Sequence, residues 1–297
     1  MAAISNEDSG AARTGQPPHV LAAWIRELLG EIETIQLRKL QQLRERIESR
    51  GPDRESAQMG QTVAQLHSAA PELQFTGLRL GWLDVAMGRQ KNVAARFCAA
   101  YERVAACVAT LKLNMREAVA THKDHITATR RVLVELDLEC KELGIEMEQG
   151  LGWLQELWAE LNLRRQLADK DPKLAVFAQA AEAYTKGFKR LQSVTAVARE
   201  ISVRGQHLIE RRSALLEQVR ADLEFSEKRW DRRVGALADD MRAGKTSPVG
   251  VPEAMEVHEE LMKRLAAAVD ASSALQNEEQ LMEEQLGMLR TAIESRR

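Results

Sequence analysis

Apolar residues recur every three or four positions along most of the chain, between a few clusters of proline and glycine. This period matches one face of an α-helix, which turns every 3.6 residues. The clusters mark helix ends, because proline lacks a backbone donor and glycine raises the entropic cost of helical order. They lie at residues 50–56, 69–77, 169–173 and 242–252. The pattern therefore predicts an all-α protein with helices between these clusters.

Two of the predicted helices are unusually long. A heptad-like apolar seam runs through residues 90–165, and residues 173–243 carry a seam of the same kind. At 1.5 Å of rise per residue, each helix is on the order of 100 Å long and must pair lengthwise to bury its seam. The short link between them favours an antiparallel hairpin over residues 90–243. We therefore expect an elongated antiparallel coiled-coil helical bundle.

The remaining segments are predicted to complete this architecture. Residues 1–18 are rich in Ala, Ser, Gly and Pro and do not resemble a secretory signal, so we expect a disordered tail. Residues 19–89 contain shorter N-terminal helices, of which the first is an amphipathic segment over residues 19–49. Residues 252–297 carry a further amphipathic helix, which we expect to pack on the hairpin.

Composition excludes several classes of function. Aromatic residues are 4% of the chain and charged residues 29%, which favours long helices over a sheet-built core. The 42 basic and 44 acidic residues nearly balance, so charge gives no support to nucleic acid as a partner. No apolar stretch approaches the roughly 20 residues that span a membrane. Three cysteines within helical patterns suit a reducing compartment, and we expect a cytoplasmic protein.

The sequence carries no familiar signature of catalysis. It lacks the glycine-rich phosphate loops, the nucleophile elbow, the HExxH zinc motif and the CxxC motif. Catalysis also needs groups that converge in a dry cleft, and paired long helices offer few clefts. We therefore expect a protein that is not an enzyme and that carries no cofactor.

A pair of histidines is the one candidate for metal chemistry. The stretch THKDHITATR places His122 and His125 three positions apart on one helix face, where they can supply two metal ligands. A metal site needs at least a third ligand, and no second His or Cys pair has a matching spacing. Polar side chains at seam positions, here with Thr129, also set register and partner choice in coiled coils. We favour the register role and keep the metal site as the alternative.

Two groups of residues are candidates for binding a partner. Trp153 and Trp158 form an apolar cluster that is either core packing or a partner-binding surface. Arg229, Arg232 and Arg233 form a short basic surface in a segment where acidic residues interleave with arginines, as on a solvated helix face. Because a sustained basic excess is missing, any membrane contact is expected to be peripheral only.

An Asp-Pro turn leads into the long helix that begins near residue 173. A set of residues in this turn and helix follows a family pattern: Asp171, Pro172, Lys189, Leu191, Val194, Thr195, Ala196, Val197, Ile209, Arg211, Leu215, Leu216 and Val219. With these residues, the stretch 171–224 resembles the toxic-anion-resistance family, which includes the TelA-like tellurite-resistance proteins, and in all the similarity covers about residues 75–235. The stretch 97–125 is similar to the family's start. Arg212 and Ser213 stand where that family has paired asparagines.

The resemblance implies a cytoplasmic, non-enzymatic helical protein that is linked to tellurite resistance or envelope stress and acts through protein–protein interaction. Two other readings of the residues stay open. One is a structural or scaffolding coiled coil that self-associates or bridges partners, and the other is a helical dimer that binds membranes. Coiled-coil seams can be satisfied within one chain or between chains, so a homo-oligomer is compatible with the pattern.

Overall fold

The computed structural model describes residues 16–50, 54–76, 78, 89–167, 172–245 and 250–295. Within these ranges every regular element is helical and no β-strand occurs, so the predicted all-α fold is confirmed. The predicted disordered tail lies largely at residues 1–15, outside the described residues. Among the described helices, none combines the length and the hydropathy needed to cross a bilayer.

Helices α1 to α7 follow one another along the described chain. Their bounds are α1 Pro18–Glu31, α2 Leu37–Glu48, α3 Arg54–Ala69, α4 Arg89–Gln166, α5 Lys173–Phe225, α6 Ala236–Arg242 and α7 Val251–Glu294. A π-helical turn, Ile32–Gln36, joins α1 to α2, and a longer π-helical segment, Ser226–Gly235, joins α5 to α6. A 3₁₀ turn, Ala70–Glu72, follows α3.

The two very long helices are confirmed. The helix predicted over residues 90–165 is α4, which has 78 residues. The helix predicted over residues 173–243 is the continuous helical run from Lys173 to Arg242, which includes the π-helical segment. The predicted ends of both helices are correct to within one residue. The apolar period predicted neither the π-helical segment Ser226–Gly235 nor the π-helical turn Ile32–Gln36.

The helices assemble into two compact units. Unit 1 comprises residues 1–49, 131–203 and 284–297, and unit 2 comprises residues 50–130 and 204–283. Each unit thus contains one part each of α4, α5 and α7. Unit 1 adds α1 and α2 to these parts, whereas unit 2 adds α3 and the whole of α6.

In unit 1, α4 runs antiparallel to α5 and to the α1–α2 run. Trp24 of α1 packs on Trp153 of α4, with the ring centroids 5.5 Å apart. The ammonium of Lys39 lies 3.1 Å from a carboxylate oxygen of Glu139. The fully buried apolar side chains around these contacts include Ile25, Ile32, Leu40, Leu136, Leu143, Leu157, Leu161, Val194 and Leu289. Their burial removes the seam of each helix from water, which is the main source of stability in such a bundle.

The last turn of α7 ends against α5 in unit 1. The guanidinium of Arg190 donates hydrogen bonds to the carbonyl oxygens of Ala292 and Ile293, at 3.2 and 2.5 Å. Carbonyl groups in the last turn of a helix have no partner within the helix, and a cation there also offsets the helix dipole. Arg190 therefore caps α7 and fixes its end on α5.

In unit 2, α3 packs between α4 and α7. The buried Asn114 of α4 donates a hydrogen bond of 2.7 Å to the hydroxyl of Thr62 on α3. Gly60 of α3 lies so close to α7 that an added Cβ would stand 2.1 Å from the hydroxyl oxygen of Ser272. Buried polar groups are costly unless they are paired, and the Asn114–Thr62 bond meets that requirement at the α3–α4 contact.

Two glycines within one turn of α4, on different faces of the helix, provide a test of the packing in unit 1. A Cβ at Gly150 would lie 2.3 Å from the Phe188 ring and 2.8 Å from the Leu28 side chain, whereas a Cβ at Gly152 meets no heavy atom within 4 Å. We expect Gly150→Ala to lower the free energy of unfolding by about 1–3 kcal/mol through overpacking. Gly152→Ala should raise it by up to about 1 kcal/mol through helix propensity. Urea titration followed by circular dichroism measures both changes, and equal effects would contradict the packing described.

Candidate interaction groove on unit 2

The π-helical segment Ser226–Gly235 is the most unusual local structure in unit 2. Its buried residues Ser226, Trp230 and Val234 recur every four positions. These side chains therefore lie on the inward face of the segment. Helical segments of this type are frequent at functional sites.

A buried chain of hydrogen bonds holds the π-helical segment in place. The indole N–H of Trp230 donates to Nδ1 of His258 on α7 at 3.1 Å. Nε2 of His258 lies 3.0 Å from the carbonyl oxygen of Ala70. A carbonyl only accepts, so Nε2 carries the proton and the imidazole is neutral. Burial lowers the pKa of His258, in agreement with this assignment.

Tyr101 of α4 covers the other side of the indole. Its ring stacks on Trp230 with the centroids 5.5 Å apart, and its hydroxyl donates to Oδ1 of Asp231 at 2.5 Å. Burial and this hydrogen bond raise the pKa of Tyr101. A Cβ at position 235 would lie 2.8 Å from the tyrosine hydroxyl, so Gly235 leaves the room that the contact requires. The segment is therefore tied to α4 and α7, and through His258 to the 3₁₀ turn after α3.

The outer face of the same segment forms a groove with the first turns of α7. The groove has a volume of about 580 Å³, and Phe225 and Val257 contribute to its lining. The basic ridge consists of Lys228, Arg229, Arg232 and Arg233 on the segment, and the acidic ridge of Glu253, Glu256, Glu259 and Glu260 on α7. Lys263 lines the groove beyond the acidic ridge. Two rows of opposite charge thus flank one groove.

Most charges on the two ridges lack a partner of opposite sign. Lys228 pairs with Glu224 on its own helix, and Glu260 with Arg264 at 2.9 Å. The Arg229 guanidinium lies 5.4 Å from the centroid of the Phe225 ring. Within the described part of the chain, the other ridge residues form no ion pair. Like charges on the same ridge repel one another, and a group of opposite charge relieves that repulsion. Each ridge therefore favours the binding of oppositely charged groups.

The structure brings together some of the residues predicted from sequence. Arg229, Arg232 and Arg233 all line the groove. Trp153 and Trp158 belong to unit 1, where both are half-buried. Trp153 packs on Trp24, and the indole N–H of Trp158 lies 3.5 Å from the hydroxyl of Thr185.

The histidine pair lies in unit 2 within a polar cluster of three helices. Nε2 of His125 is 3.1 Å from the Arg212 guanidinium, which only donates, so this nitrogen accepts a hydrogen bond and its lone pair is engaged. Nε2 of His122 lies 3.3 Å from the Ser213 hydroxyl. Arg212 is 7% exposed and forms an ion pair of 2.5 Å with Glu279 of α7. Among the described residues, no group of three or more His, Cys, Asp or Glu side chains could hold a metal ion.

Two features of the groove were not predicted from the sequence. One is the acidic ridge, although its glutamates follow the helical period in the stretch VPEAMEVHEE, a visible signal. The other is the Trp230–His258 hydrogen bond beneath the groove. These residues are 28 positions apart, and their contact depends on the register between two helices, so no local pattern indicates it.

Neighbouring arginines of α5 allow the buried ion pair to be measured against an exposed one. Arg212→Ala leaves the largely buried Glu279 carboxylate, whose side chain is 13% exposed, without its cation and should lower the free energy of unfolding by about 3–5 kcal/mol. Arg211 pairs with Glu278 at 3.1 Å but is half-exposed, so Arg211→Ala should cost about 0–1 kcal/mol. Urea unfolding of the two variants gives the comparison. Similar losses in both would show that the Arg212 pair is not a buried one.

The neutral state of His258 predicts a dependence of stability on pH. Its pKa is lowered in the folded chain from the ordinary value of 6.5, so the unfolded chain takes up the proton first as the pH falls. The stability contributed by neutral His258 is therefore present above about pH 6.5 and is lost below it. We expect the melting temperature to fall over this range in the wild type and to fall less in His258→Gln. Parallel curves for the two proteins would refute this role of His258.

The comparisons with known proteins supply no relative for this groove. No protein-family model matches the chain, and no curated protein or solved structure matches it.

Proposed function

We propose that this chain is a non-enzymatic helical protein that acts by binding protein at the groove between the basic and acidic ridges. The observation that carries the proposal is the pair of ridges with charges left without ion-pair partners among the described residues. Charged rows of this kind steer association and exclude partners of the wrong charge pattern. The groove therefore suits recognition more than catalysis.

The support beneath the groove favours the same role. Trp230 is 1% exposed, and its bond to His258 ties the helix of the basic ridge to the helix of the acidic ridge. Binding is stronger when the groups that contact a partner are held in place before it arrives, because less ordering is required on association. The hydrogen-bonded interior holds the two ridges at a fixed spacing.

We further propose that this binding serves resistance to tellurite or the response to envelope stress, in the cytoplasm. The support is the resemblance of about residues 75–235 to the toxic-anion-resistance family, a range that includes the basic ridge. The cysteines Cys98, Cys107 and Cys140 are free thiols, which suits a reducing compartment.

Tellurite tolerance of a sensitive bacterium that expresses the chain tests this proposal. We expect the wild type to raise tolerance several-fold and Arg232→Glu with Arg233→Glu to abolish most of the gain, because the basic ridge then repels its ligand. The matched control is Arg116→Glu with Lys123→Glu, two exposed residues of α4 outside the groove that undergo the same change of charge.

Three outcomes are informative. Loss of tolerance in the groove variant alone supports the proposal. Equal loss in the control variant shows that total charge matters and the groove does not. No gain with the wild type, when the protein is folded and soluble, overturns the link to tellurite.

A further inference from the structure

The two ridges are complementary to each other in charge, and we infer that the groove binds a second copy of this chain. Each ridge carries four charges of one sign on adjacent turns of one helix. A partner of a single sign, such as an anionic polymer, would satisfy the basic ridge and be repelled by the acidic one. A second copy offers both rows in the same arrangement. The inference rests on the proposed protein-binding role of the groove.

Symmetry makes the match possible. In a two-fold interface the same surface of both copies takes part, so the surface must complement itself. A two-fold axis that runs along the groove places the basic ridge of each copy against the acidic ridge of the other. An axis across the groove would instead set like charges face to face. Only the first arrangement pairs the charges, and it pairs both ridges at once.

The pairing also resolves the repulsion within each ridge. In a single copy, the described residues provide no ion-pair partner for Arg232 and Arg233 on one side or for Glu253 and Glu256 on the other. In the symmetric dimer, these arginines lie opposite the glutamates of the second copy. Contacts of this type are screened by salt when they are exposed. The dimer should therefore weaken as ionic strength rises.

Charge reversal provides a direct test by sedimentation velocity of the full chain. The acidic variant carries Arg232→Glu and Arg233→Glu, and the basic variant carries Glu253→Arg and Glu256→Arg. We expect the wild type to dimerise at low salt. Each variant alone should dimerise at least about tenfold more weakly, because like charges then face each other. An equimolar mixture of the two variants should dimerise again, since the acidic ridges of one face the basic ridges of the other.

Matched controls separate this effect from a general change of charge. Arg116→Glu with Lys123→Glu and Glu117→Arg with Asp124→Arg make the same charge changes at exposed positions of α4 outside the groove. Both control variants should dimerise like the wild type. The substituted groove residues are exposed, so circular dichroism should show an unchanged helix content in every variant.

The possible results distinguish the two proposals. Self-association through the groove is overturned if the wild type stays monomeric at low salt, if the groove reversals leave the dimer intact, or if the mixture fails to dimerise. A monomeric wild type whose tellurite tolerance still depends on Arg232 and Arg233 would retain the proposed function and remove this inference. A dimer that follows the charge pattern, without any effect on tolerance, would retain this inference and remove the link to tellurite.

Discussion

Every other feature of the structure depends on the burial of apolar seams along helices that are far longer than a domain core. A helix of 78 residues exposes its seam to water along its whole length unless other helices lie beside it. In both units a part of α5 lies antiparallel to α4 and a part of α7 lies antiparallel to α5. These parts cover that seam, and α1 and α2 in unit 1 and α3 in unit 2 add the remaining cover. The stability of each unit therefore comes mainly from lengthwise apolar contact, and the buried Asn114 and Arg212 are paired where helices meet.

The paired polar groups determine how the helices are aligned. Thr62 and Asn114 fix α3 against α4, and Arg212 and Glu279 fix α5 against α7. An apolar seam tolerates sliding by a turn, whereas a buried hydrogen bond or ion pair is satisfied at one alignment and is costly at the others. The Trp230–His258 bond has the same effect beneath the groove, because it sets the basic ridge and the acidic ridge at matching heights.

The groove shows how a nearly neutral chain can still carry a strong local charge pattern. The 42 basic and 44 acidic residues almost cancel over the whole sequence, and many of them form ion pairs on the exposed faces of the helices. Such pairs contribute little to stability because water and salt screen them. On the ridges the basic residues lie on one helix and the acidic residues on another, so charges of opposite sign do not neutralise one another within a ridge. The π-helical segment carries the basic ridge on its outer face and buries Trp230 on its inner face. The packing of this one segment therefore positions both.

The sequence by itself determined the helices, and the tertiary structure decided which residues of different helices lie next to one another. The all-α fold and the ends of α4 and of the α5–α6 run follow from a repeat of three and four positions and from proline and glycine, which act within a few residues. The basic ridge was also visible, because Arg229, Arg232 and Arg233 lie within one turn of each other. That His125 accepts a hydrogen bond from Arg212, and that the arginines stand across a groove from the acidic ridge, depended on residues from other helices. A local period fixes which face of a helix is buried, but it contains no information on which turn of a distant helix lies opposite, and only the packed structure supplies that alignment.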